Sequence, residues 1–180
     1  PSSSGAEDVQ TAIVGIIGAL VGVLLTHIFR VILDWQARRE RVRDVQTSLR
    51  AEIRSHRQSL EVFVDAARRD ATIALIEADA AYVPFIPHEV EPFIFEAMVG
   101  DIQVLPGTVI DPVVLYYRQW RAISALAEDM RGLQFSALAQ YRKAAVYADY
   151  GAMGVYAVDL AKDAVDAINR SLRTAYGTIA

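Results

Sequence analysis

From Ala12 to Leu25 the chain carries neither a charge nor a hydrogen-bonding side chain, and the apolar run continues to Leu33, relieved only by Thr26, His27 and Arg30. At about 1.5 Å per helical residue, Ala12 to Leu33 covers about 33 Å, enough to cross a hydrocarbon core of about 30 Å. A helix buried in a soluble core shows such a surface for roughly two or three turns, and this one sustains it for about six. Residues 11–33 are therefore expected to form a transmembrane helix. Apolar residues make up 53% of the chain, but this run holds much of the excess and the remainder reads as an ordinary soluble domain.

Glu7 and Asp8 precede the run, where a cleavable signal peptide would carry a basic segment, and no small-residue cleavage site with a polar start follows it. The helix is expected to stay attached as an anchor behind a short extracytoplasmic tail, residues 1–10. Lys and Arg are absent from that side, whereas Arg30, Arg38, Arg39, Arg41 and Arg43 crowd the other. The positive-inside rule then places the C-terminal part in the cytoplasm. Basic residues are almost all Arg, with Lys only at Lys143 and Lys162, and Ala and Val are abundant, a bias associated with GC-rich bacteria. The expected location is a bacterial inner membrane. Arg30 can snorkel to the headgroups, Trp35 stands where an interfacial aromatic anchors a helix, and Arg38 and Arg39 complete the interface anchors.

Gly15, Gly18, Gly22 and Thr26 recur at spacings of three and four, so they share one narrow face, with Gly18 and Gly22 forming a GxxxG pair. Small residues allow a close approach, and this face is expected to pack against a helix of another copy or of a different protein. His27 could ligate a pigment or haem, bond across a helix interface, or lie hydrated within a turn of the headgroups. A lone His identifies no cofactor.

Beyond Asp34 neither Pro nor Gly occurs until Pro84, so the reading is one long helix over 34–82. Val42, Val45, Leu49, Ile53, Leu60, Phe63, Ala67, Ala71 and Ala74 form its apolar seam, with Glu52, Arg54 and Arg57 on a solvated face. The Arg excess from Asp34 to Leu60 suits anionic headgroups. Nucleic acid is excluded as a partner, because acids outnumber bases between Glu61 and Asp129. Residues 83–110 read as a proline-rich connection: Phe85 and Ile86 tuck onto the domain, and a short helix over Phe93 to Val99 stops at Gly100. A helix is expected from Asp111, capped there with Pro112 in its first turn, and carrying Val113, Val114, Tyr116, Tyr117, Trp120, Ile123 and Leu126. After Gly132, a last helix places Leu138, Tyr141, Ala145, Ala148, Ala152, Val155, Ala161, Val165, Ile168 and Leu172 on one face. The expected fold is all-α, a single transmembrane helix continuing into an antiparallel bundle.

No catalytic or cofactor signature accompanies this plan. Cysteine is absent, which removes disulfides, thiolate metal sites and Cys nucleophiles. His88, Glu89 and Glu91 stand in a proline-flanked loop without the spacing that places ligands on one helix face, and Asp159, Asp163 and Asp166 share a face interrupted by Lys162. GAMG at Gly151 to Gly154 follows no strand, so it is not a phosphate-binding loop. The remaining candidates are aromatic. Tyr147, Tyr150 and Tyr156 suit partner contacts, with an apolar ring and a polar tip. These features point to a non-catalytic accessory or scaffold subunit of a larger membrane complex, with respiratory and photosynthetic assemblies as plausible hosts. Its partners would be membrane lipid and other membrane subunits. The rival is a self-associating transmembrane signalling or envelope-stress adaptor.

Overall fold

The computed structural model describes residues 4–88 and 92–176, with the backbone alone described for residues 4–21, 62–63 and 176. All regular structure among these residues is helical. The chain divides into two units, residues 1–42 and 43–180. The first helix, α1 (Ser4–Phe63), contributes to both.

Val45, Leu49, Ile53 and Leu60 of α1 are buried and Val42 is half-buried, so these members of the expected seam face a core, while the Phe63 side chain lies outside those described. The helix does not reach Tyr82. Val64 and Asp65 leave helical geometry, and the Asp65 carboxylate accepts from the Ala67 N–H at 2.9 Å to cap a new helix, α2 (Ala66–Ala78). A short carboxylate that satisfies an orphan N–H favours a helix start over a helix interior. The interruption also resets the helical phase. Ala67, Ala71 and Ala74, counted on from α1, are exposed, and the buried residue of α2 is Ile76.

The connection after α2 buries Ile86 and leaves Phe85 86% exposed, because successive side chains of an extended segment point to opposite sides. The short helix α3 (Phe93–Met98) does not stop at Gly100, since a 3-10 helix over Val99–Val104 continues through it. The next helix, α4 (Gly107–Arg131), begins four residues before Asp111. Pro106 is extended, and its carbonyl accepts from Val109 and Ile110, so the first turn is built on Pro106 rather than capped by Asp111. Pro112 consequently lies inside the helix, where its missing N–H removes one bond to the preceding turn. The inward face of α4 agrees with its spacing: Val113, Tyr116, Tyr117, Trp120 and Ile123 are buried.

A four-residue helix, α5 (Leu133–Ser136), precedes α6 (Gln140–Tyr176). The latter packs against both α4 and α2. The second half of α6 buries Leu160, Ala161, Ala164, Val165, Ile168 and Leu172. In the first half the expected face is displaced: Tyr141, Ala145, Ala152 and Val155 are exposed, while Lys143, Ala144 and Gly154 face inward. Lys143 turns inward because its Nζ donates to the Ala80 carbonyl at 3.0 Å, just past the end of α2. Gln140 donates to the Glu77 carbonyl at 3.4 Å, and a cation suits the partial negative charge of a helix end. Gly154 allows a close approach, because a Cβ there would lie 3.0 Å from the Val64 side chain. The GAMG segment is thus a packing contact.

Candidate functional site

Two groups of side chains stand apart from the ordinary core, one in each unit. In the first unit, Val23, Leu24, Leu25, Ile28, Phe29, Val31, Ile32 and Leu33 are all exposed, from 44% at Ile28 to 70% at Val23. Residues on an α-helix step by about 100°, so the consecutive triplets 23–25 and 31–33 each reach around most of the circumference. These apolar side chains cover most of the circumference, while Thr26, His27 and Arg30 share the remaining face. Thr26 donates its hydroxyl to the Gly22 carbonyl at 2.8 Å, so its polar group is satisfied within the helix. Trp35 is exposed, with the Arg39 guanidinium carbon 4.5 Å from its ring centroid, a cation–π contact.

Gly22, Thr26, Arg30, Trp35, Arg38 and Arg39 therefore lie on described helix. Gly15 and Gly18, with the rest of the span before Gly22, lie outside the residues whose side chains are described. Among the described residues no helix is long and apolar enough to cross a membrane.

The second group is a buried polar network in the bundle. Glu52, assigned by its charge to a solvated face, is instead buried. Its carboxylate accepts from the Ile94 N–H at 2.6 Å, the Phe95 N–H at 3.0 Å and the Tyr117 hydroxyl at 2.5 Å. Three donors compensate the cost of taking the group out of water, and two of them are orphan N–H groups of α3. The Tyr117 ring also stacks on Phe95 at 3.8 Å between centroids. Burial, and then the bond to Glu52, pushes the Tyr117 hydroxyl above its ordinary value, so it remains a donor.

His56 lies one turn further along α1. Its Nδ1 is 3.2 Å from the Tyr116 hydroxyl, and its ring stacks on Trp120 at 4.2 Å. The arrangement pins α1, α3 and α4 together, and every ring in it is nearly closed to solvent. Its chemistry is structural, since a substrate could not reach it.

Burial holds the His56 imidazole below its ordinary value of 6.5, against a smaller upward pull from Glu52. The unfolded chain therefore binds a proton first as pH falls, and stability drops once pH passes below about 6.5, by at most ~1.4 kcal/mol per pH unit. Thermal unfolding between pH 8 and pH 5, followed by circular dichroism, is expected to show this fall. A His56→Phe variant, which keeps the stack on Trp120, is expected to lose the His56 contribution to it; an unchanged pH profile would remove the role given to His56.

Sequence spacing held a signal for this network. Leu49, Glu52, Ile53, His56 and Leu60 follow one another at helical intervals, so the seam that selects the apolar members also selects Glu52 and His56. Gln46, likewise buried, donates to Ser171 at 3.0 Å.

Elsewhere, Arg131 donates to the Pro87 carbonyl at 2.8 Å and pairs with Glu128 at 2.5 Å, which fastens the proline-rich connection to α4. That bond holds the Glu128 carboxyl below its ordinary value. Tyr147 and Tyr150 are half-buried against the core formed by Ile86, Ala127, Met130 and Phe135, whereas Tyr156 is 52% exposed. Asp159, Asp163 and Asp166 are exposed, and Glu89 and Glu91 lie outside the described residues. Among the described residues no three acidic or His side chains are grouped to hold a metal ion. No protein-family model, curated protein or solved structure matches the chain.

Proposed function

We propose that the chain is a non-catalytic, single-pass subunit of a larger bacterial inner-membrane complex, held by residues 11–33 of α1, with its helical bundle on the cytoplasmic side. The observation that carries this reading is the broad exposed apolar surface of α1 from Val23 to Leu33, interrupted on the face that holds Thr26, His27 and Arg30. An exposed apolar surface this broad belongs in lipid or against a larger protein. Arg30, one turn before the end of that segment, and Trp35, Arg38 and Arg39 after it supply the cations and aromatic ring of a cytoplasmic membrane interface. The bundle adds exposed large side chains, among them Phe85, Phe93, Leu133 and Tyr156, which suit contact with a partner. Its buried polar network serves to hold helices together, which fits a scaffold.

The native chain lacks cysteine, so single introduced cysteines report position without background. An Asp8→Cys variant is expected to react with a membrane-impermeant maleimide on intact cells, and a Thr47→Cys variant only after lysis. Purification in mild detergent is then expected to yield a stoichiometric partner. Reversed labelling would overturn the orientation, and elution as a lone monomer would remove the subunit role.

A further inference from the structure

The C-terminal end of the apolar segment forms a shallow groove on α1, lined by Gly22, Val23, Thr26, His27 and Arg30. Gly22, Thr26 and Arg30 are four residues apart in turn, so they stack along one face. At Gly22 the groove is open, since a Cβ there would meet nothing within 4 Å. The Thr26 hydroxyl already donates to the Gly22 carbonyl, so the apolar end asks for no polar partner. The other end differs. Among the described residues, the side chains of His27 and Arg30 make no hydrogen bond or ion pair, whereas Arg39 lies over Trp35. Arg30 stands within one turn of Leu33, where the apolar run ends.

We propose that this groove seats one anionic phospholipid of the cytoplasmic leaflet, an inference that rests on reading α1 as a membrane span. An acyl chain lies along Gly22, Val23 and Thr26, and the phosphate meets the Arg30 guanidinium with His27 beside it. The order of the groove, apolar and then cationic, is the order of the lipid from tail to headgroup. A guanidinium at the edge of hydrocarbon is costly unless paired, and its planar fork matches phosphate oxygens. A second copy of the helix fits the same face poorly. Parallel pairing through Gly22 would bring two Arg30 side chains together in a low-dielectric setting, where like charges repel strongly.

The test uses the full chain reconstituted into vesicles of phosphatidylcholine alone or mixed with phosphatidylglycerol. Flotation reads insertion, and spin-labelled phosphatidylglycerol and phosphatidylcholine read the lipid immobilised on the protein. The expected result is flotation with both vesicles and a roughly five-fold preference for the anionic label, weakened by salt. Arg30→Gln is expected to abolish that preference by removing the charge, and Gly22→Ile by filling the groove with every charge retained. Equal immobilisation of both labels, or a preference that survives Gly22→Ile, would overturn the proposal, the latter by showing diffuse attraction without a seat. A disulfide-linked dimer of a Gly22→Cys variant in anionic vesicles would overturn it in favour of a second copy. Failure to float with either vesicle would instead overturn the membrane reading beneath it.

Discussion

Replacing Glu52 with alanine is expected to destabilise the bundle by about 3–5 kcal/mol, the cost of orphaning several donors at roughly 1–3 kcal/mol each with partial rehydration. The Ile94 and Phe95 N–H groups and the Tyr117 hydroxyl all converge on that carboxylate. The N-terminus of α3 depends on it, because Pro92 at that end supplies no side-chain cap. Glu52→Gln keeps one acceptor oxygen but turns an NH₂ group toward donors, so a smaller loss of about 1–2 kcal/mol is expected. Tyr117→Phe removes a single donor and should cost about 1 kcal/mol. Urea unfolding of the detergent-solubilised chain, followed by far-ultraviolet circular dichroism, measures all three. Faster hydrogen exchange at Ile94 and Phe95 should accompany the alanine variant. Should Glu52→Ala unfold at the same urea concentration as the parent, the carboxylate would not be what fastens α3 to α1.

The second large effect lies in the other unit. Exchanging Leu24 and Leu25 together for aspartate places two charges near the centre of the apolar run, at about 2.5–3.5 kcal/mol each for transfer into a bilayer. Membrane partition is expected to fall roughly 10⁴-fold, read as the fraction retained after an alkaline carbonate wash. Both side chains are exposed, at 60% and 51%, so neither contributes to a core within the chain. The unfolding midpoint of the bundle should accordingly stay where it was. Retention equal to that of the parent would mean that the exposed apolar surface is covered by something other than lipid.

Where a residue's role depends on near neighbours, its place in the sequence already reveals it. Val45, Leu49, Ile53 and Leu60 on α1, and Val113, Tyr116, Tyr117, Trp120 and Ile123 on α4, declare their inward face by spacing alone. Spacing misleads where a local event shifts the phase. Asp65 restarts the helix, so Ile76 rather than Ala74 turns inward, and Pro106 begins α4 four residues before Asp111. Charge misleads at Glu52 and Lys143. Both types favour water unless partners are supplied, and the partners here come from distant segments.

The continuous apolar run, the arginines that follow it and the helical periodicity are properties of the covalent chain, because each depends only on the order of side chains along a few turns. The inward turn of Glu52, His56 and Lys143 was settled by the tertiary structure. A buried carboxylate is tolerated only where donors converge on it, and its donors stand 42, 43 and 65 residues away along the chain. Folding alone brings them within reach.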